Sequence, residues 1–143
     1  MSFKQPFAAL LMMTVMGASA VFAQDDPVVD AFQEYMMFSE YEAGIILPRQ
    51  IDQTVFESVM FIDTRDAGQY EKETIPGAVN IEWREVFDRI DEIPDSQMTI
   101  LFCNTGSLSA QAAFALRVAG HNNVLVLQGG IVGWKQDETA YKP

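Results

Sequence analysis

One cysteine, Cys103, stands in the 143 residues, and its neighbours could make it a nucleophile. The apolar run Met98 to Phe102 leads into it. A small polar loop follows, Asn104-Thr105-Gly106-Ser107-Leu108-Ser109, and then the alanine-rich stretch from Ala110 to Ala119. A strand ending at a cysteine, with a tight loop opening into a helix, aims backbone N–H groups and a helix N-terminus at one sulfur atom. Such a setting favours the thiolate, which is the reactive form. Gly106 lets the loop curl so that its amides converge. Thr105, Ser107 and Ser109 can add hydroxyl donors, and Asn104 is a neutral group that could contact an acceptor. Covalent catalysis by Cys103 needs no metal or organic cofactor. The competing reading is an inert thiol in the core, a common fate of free cysteine.

Two further residues are candidates for a supporting role. Asp63 closes the apolar run Val59 to Ile62, where it could orient the loop or a substrate, or tie down backbone at the strand end. Arg65 could bring a cation to the pocket, or form a structural ion pair with a nearby acid. His121, in a Gly-His-Asn-Asn turn, reads as a surface turn residue, and Trp83 and Trp134 read as core packers. A single histidine and a single cysteine leave no cluster suited to zinc.

These residues need elements to position them. Val59 to Ile62, Met98 to Phe102 and Val124 to Leu127 are continuous apolar runs of the kind found in buried parallel strands. Tyr41 to Leu47 and Val79 to Ile81 read as shorter strands. Helical patterns lie between them. Pro27 to Phe38 has apolar residues at mixed i+3 and i+4 spacing. Pro48 suits a first helical turn, with Ile51 and Val55 on the buried side of a short helix. Trp83, Val86, Phe87 and Ile90 fall on one helical face. The helix after Cys103 stops near Gly120, and a last one begins at Ile131. Asp66 to Thr74 reads as polar turn. The alternation predicts an α/β domain, a central parallel sheet with helices on both faces. Sites in such sheets gather at the carboxyl ends of strands, where Asp63, Cys103 and Gln128 lie.

Residues 1–23 read as an export signal. Lys4 provides a positive start, Phe7 to Met16 is apolar, and small residues lead to Ala23, after which Gln24-Asp25-Asp26-Pro27 is abruptly polar. The alternative is a retained anchor over Phe7 to Ala23, close to the minimum length for a membrane span. The expected organisation is a signal over 1–23, a helical extension over 24–40, a domain over 41–139 and a tail over 140–143. A bacterial export signal implies a periplasmic or secreted protein, with no stable membrane insertion once it is removed. The formal net charge of −11 argues against a nucleic-acid surface and against anionic lipid.

The motifs, taken together, resemble the rhodanese family of single-domain sulfurtransferases. Ile62-Asp63-Thr64-Arg65 with Gln69-Tyr70, then Ile75-Pro76-Gly77-Ala78-Val79-Asn80-Ile81, then the Cys103 to Ser109 loop, then Gly120 to Trp134 match family segments in order. The resemblance covers roughly Tyr41 to Lys135. It implies sulfur transfer, with Cys103 taking a sulfane sulfur from a donor such as thiosulfate as a persulfide and passing it to a thiol, cyanide or protein acceptor. It implies no cofactor, and a loop from Asn104 to Ser109 that cradles the persulfide. Family members often carry cations where this chain has Asn104 and Leu108, an acid where it has Gln69 and a histidine where it has Thr74. The loop therefore has no formal positive charge of its own. A second reading of the same resemblance is a catalytically weak or inactive protein-binding module. A phosphatase or arsenate reductase of related fold would need an arginine at the end of the loop to grip an oxyanion, and positions 108 and 109 are Leu and Ser.

Overall fold

The computed structural model describes residues 26–41 and 43–143, so the expected signal over 1–23 lies outside the described residues. Helix α1 (Pro27–Phe38) starts with the Asp26 carboxylate accepting from Val28 N–H and proline in the first turn. Then come β1 (Ile45–Ile46), a 3₁₀ turn (Pro48–Gln50), α2 (Gln53–Ser58), β2 (Met60–Asp63), α3 (Ala67–Lys72) and β3 (Val79–Asn80). A second 3₁₀ turn (Ile90–Glu92), β4 (Thr99–Phe102), α4 (Ser107–Val118), β5 (Val124–Leu127) and α5 (Gly130–Gln136) complete the order.

The five strands form one parallel sheet in the order β1-β5-β4-β2-β3. Side chains alternate across it, which splits the core in two. Phe61, Ile100, Phe102 and Leu127 pack on one face with Ile131 and Trp134 of α5. Ile62, Leu101 and Val124 pack on the other with Ala112, Ala113 and Leu116 of α4. The central strand β4 is buried along its whole length. This is the expected α/β architecture, with helices on both faces. Helix α1 lies on the outer side of α4, where Phe32 stacks on Phe114 at 5.5 Å, Tyr35 meets the same ring edge-on at 5.3 Å, and Arg117 Nε donates to the Tyr35 hydroxyl at 2.9 Å.

Three stretches depart from the expectations. Asp66 to Thr74 holds a helix, α3, whose first turn is capped by the Asp66 carboxylate accepting from Gln69 N–H at 3.1 Å. The apolar spacing from Trp83 to Ile90 does not make a helix. Isolated bonds, Glu85 N–H to Glu82 O and Arg89 N–H to Glu85 O, turn the chain without a continuous ladder. Val86 is buried there, but Phe87 is half exposed. The expected helix after Pro48 is divided. Ile51 is buried between the 3₁₀ turn and α2, and its N–H closes the turn onto Pro48 O.

Candidate active site

Strands β2 and β4 are neighbours in register, Asp63 opposite Phe102, so their carboxyl ends bring Asp63 and the Cys103 loop to one edge of the sheet. Thr64 N–H and the Thr64 hydroxyl both donate to Phe102 O, at 2.8 and 3.0 Å, and lock the two strand ends together. On the other side, α5 begins against the loop. Ile131 N–H donates to Cys103 O at 2.9 Å and Val132 N–H to Asn104 O at 3.1 Å. Gly130 makes this approach feasible, because a Cβ there would stand 2.3 Å from Cys103 O.

Cys103 is 3% exposed. Gly106, at φ 100°, is the residue before α4, and no side chain caps the helix. Its N–H points instead at Cys103 Sγ, 3.2 Å away. The Ser109 hydroxyl, fully buried, lies 3.7 Å from the same sulfur and donates to Gly106 O at 3.0 Å. Burial is the largest single influence on the thiol and pushes its pKa up. The Ser109 amide and hydroxyl, with the amides of Thr105 and Leu108, act together in the other direction and leave the pKa below its ordinary value. The groups that surround the sulfur are therefore amides and one hydroxyl at a helix start. Of the three expected hydroxyl donors only Ser109 reaches the sulfur. Thr105 and Ser107 lie exposed beside each other, their hydroxyl oxygens 3.4 Å apart.

Asp63 and Arg65 form a buried pair. Arg65 Nη2 lies 2.6 Å from Asp63 Oδ2, and Nε donates to Oδ1 at 2.9 Å. This bond raises the guanidinium pKa above its ordinary value. Asp63 also accepts from Arg65 N–H and from the Thr74 hydroxyl at 2.8 Å. Both roles weighed for Arg65 come together here, because its Nη1 donates to Asn104 Oδ1 at 3.2 Å. Asn104 Nδ2 in turn donates to Gln69 Oε1 at 2.7 Å, and Gln69 donates to Asp66. The neutral residues at 69, 74 and 104 thus belong to one hydrogen-bonded chain that runs from β2 to the loop.

Cys103 opens into a cleft of about 370 Å³ whose walls include Arg65, Gln69, Glu82, Trp83, Arg84, Asn104 and Leu108. A larger cleft of about 580 Å³ lies between α1 and α4, around Tyr35 and Arg117, and none of the loop residues from Cys103 to Ser109 line it. Thr64 and Asp66, with Glu82, Trp83 and Arg84, are cleft residues that sequence reasoning missed as such. The apolar neighbours of the last three, at helical spacing, pointed to a packing face. The usable signal was the short strand just before them, whose carboxyl end lies beside that of β2. Trp134 is buried as expected. Trp83 is half-buried, packing partly under the sheet and partly on the cleft wall. His121 is more enclosed than a plain turn residue, with its Nδ1 3.0 Å from Asp95 Oδ1.

The rhodanese-like domain model matches residues 47–137, which takes in β2, the Cys103 loop and α5. The chain belongs to the rhodanese-like domain family. A sulfurtransferase of Allochromatium vinosum is 32% identical over 78 residues, covering 54% of this chain and 73% of that protein. The thiosulfate sulfurtransferase PspE of Escherichia coli is 39% identical over 72 residues, covering 49% and 69%. The putative sulfur carrier protein YrkF of Bacillus subtilis is 32% identical over 78 residues, and the match spans 42% of its length. Among solved structures, the rhodanese-related protein of Thermoplasma volcanium superposes with a TM-score of 0.60 at 20% identity, over 66% of this chain and 92% of that one, a likeness of fold. The Cys103 to Ser109 loop of this rhodanese-like chain holds no Lys or Arg and is tied through Asn104 to Arg65.

Proposed function

We propose that this chain is an exported sulfurtransferase that moves a sulfane sulfur from a donor such as thiosulfate to a thiophilic acceptor through a persulfide on Cys103. The observation that carries the reading is Cys103 Sγ at the floor of an open cleft with Gly106 N–H aimed at it and the Ser109 hydroxyl within reach at 3.7 Å. In the first step the Cys103 thiolate attacks the outer sulfur of the donor. A Cys–S–S bond forms, the S–S bond of the donor breaks, and with thiosulfate the leaving group is sulfite, which keeps the electron pair. In the second step a thiol or cyanide attacks the outer sulfur and the Cys103 thiolate leaves. The charge after each step rests on sulfur inside the loop, where fixed amide dipoles stabilise it without rearranging. The acceptor could be a small thiol, cyanide or a protein thiol. A periplasmic or secreted location rests on the character of residues 1–23. Among the described residues no helix is long and apolar enough to cross a membrane.

The test is the intact mass of the purified protein after incubation with thiosulfate, without reductant. We expect the mass of one added sulfur atom, absent in Cys103→Ser, and its loss on adding cyanide as thiocyanate appears. No gain with thiosulfate or with organic donors would overturn the enzymatic reading in favour of a protein-binding module.

A further inference from the structure

The cleft above Cys103 holds two positive and two negative side chains, and neither cation is free. Arg65 is paired to buried Asp63 and also donates to Asn104 Oδ1 and Glu73 O. Arg84, on the rim, is 72% exposed and bound through Nε to both carboxylate oxygens of Glu82, at 3.1 and 3.0 Å. Asp66 and Glu82 complete the charged lining. Adding Asp63, which neutralises Arg65, and the Cys103 thiolate leaves the surroundings of the incoming donor net negative. The rest of the wall offers apolar contact. Leu108 is 37% exposed, and the half-buried Trp83 ring lies beside the Arg84 guanidinium.

Resting on the sulfur-transfer reading, we propose that this cleft selects monoanionic sulfane-sulfur donors bearing an apolar group over dianionic thiosulfate, and that the Glu82–Arg84 pair sets this selectivity. A thiosulfonate, RSO₂S⁻, has the same reactive S–S bond as thiosulfate, one negative charge fewer, and an R group for Leu108 and Trp83 to cover. The Cys103 thiolate attacks its outer sulfur, the Cys–S–S bond forms as the donor S–S bond breaks, and the sulfinate RSO₂⁻ leaves with the electron pair. Charge and atoms balance without any external oxidant or reductant. Among the described residues, Arg84 is the one cleft cation on an exposed side chain that can swing toward a donor, and Glu82 holds it at the rim. Each added negative charge on the donor meets an uncompensated negative field, while an apolar R group gains from leaving water.

The experiment measures rates of sulfur loading on Cys103 by benzenethiosulfonate and by thiosulfate, in the wild type, Glu82→Gln and Arg84→Gln. The ratio of the two rates cancels the reactivity of the cysteine, and its change on substitution cancels the reactivity of the donors. Releasing Arg84 in Glu82→Gln should shift the ratio toward thiosulfate by about 5-fold or more, and Arg84→Gln should shift it the other way by a similar factor, as expected for a charge pair near the reacting atoms. A ratio unchanged in both variants overturns the assignment of selectivity to this pair. A wild type that loads thiosulfate and excludes benzenethiosulfonate overturns the substrate class. Loading by neither donor overturns the sulfur-transfer reading itself and this proposal with it.

Discussion

At the scale of single residues, the site works by setting hydrogen bonds against burial. Burial alone would leave Cys103 a poor nucleophile, and Ser109 with the loop amides reverses that. The thiolate fraction rises as pH climbs through the folded pKa, so alkylation of Cys103 by iodoacetamide should reach half its plateau rate at a lower pH than for the same thiol in the unfolded chain. Ser109→Ala should move that midpoint upward. The same depression favours the fold above the unfolded pKa, and that contribution is lost as pH falls through the folded one. The Asp63–Arg65 pair has a different role. It holds the ends of the site together, and Arg65→Met would leave the Asp63 carboxylate buried with only the Thr74 hydroxyl and the residue 65 amide. We expect a loss of about 3–5 kcal/mol in urea unfolding, the cost typical of removing one partner from a buried pair.

At the scale of elements, the Cys103 loop is held between two others. Strand β2 grips the end of β4 through Thr64, and α5 grips the carbonyls of Cys103 and Asn104. Gly130, at φ 58°, is the point of closest approach. Gly130→Ala forces a methyl into Cys103 O and should destabilise the protein by about 3 kcal/mol in thermal or urea unfolding, with slower sulfur loading. Much of this was legible in the sequence. The apolar runs ending at Asp63, Cys103 and Gln128 located three strands and the edge where the candidate site lies, because buried parallel strands must be apolar throughout. Helix α3 was not legible because it buries no residue fully and its start depends on one cap, Asp66. The Trp83 to Ile90 segment misled for the opposite reason. Its apolar spacing is helical, but Ile81 N–H and Trp83 N–H are committed to the carbonyls of Asp63 and Thr64 and Arg89 is bound to Asn80 O. These anchors fix a series of turns, and the turns deliver Glu82 and Arg84 to the cleft. The paired role of Arg65 lay between the two readings of it, since a count of charges does not reveal that one guanidinium can satisfy an aspartate and a loop amide together.

At the scale of the whole molecule, the net charge of −11 surrounds a cleft that is itself short of free cations. Long-range repulsion then slows the approach of a dianion, and salt weakens that repulsion beyond a Debye length of about 8 Å at physiological ionic strength. We expect thiosulfate loading to quicken by about twofold or more between low and physiological salt, the reverse of a steered anion. The depth of Cys103 has a separate consequence. Two copies of the protein cannot bring sulfurs that are 3% exposed to within the roughly 2 Å of a disulfide bond. With no other cysteine in the chain, a persulfide formed there has no thiol of its own kind to discharge it. On the proposed sulfur-transfer reading, the depth of Cys103 adds a limit of girth to that of charge: an acceptor thiol must stand on an arm slender enough to enter the cleft.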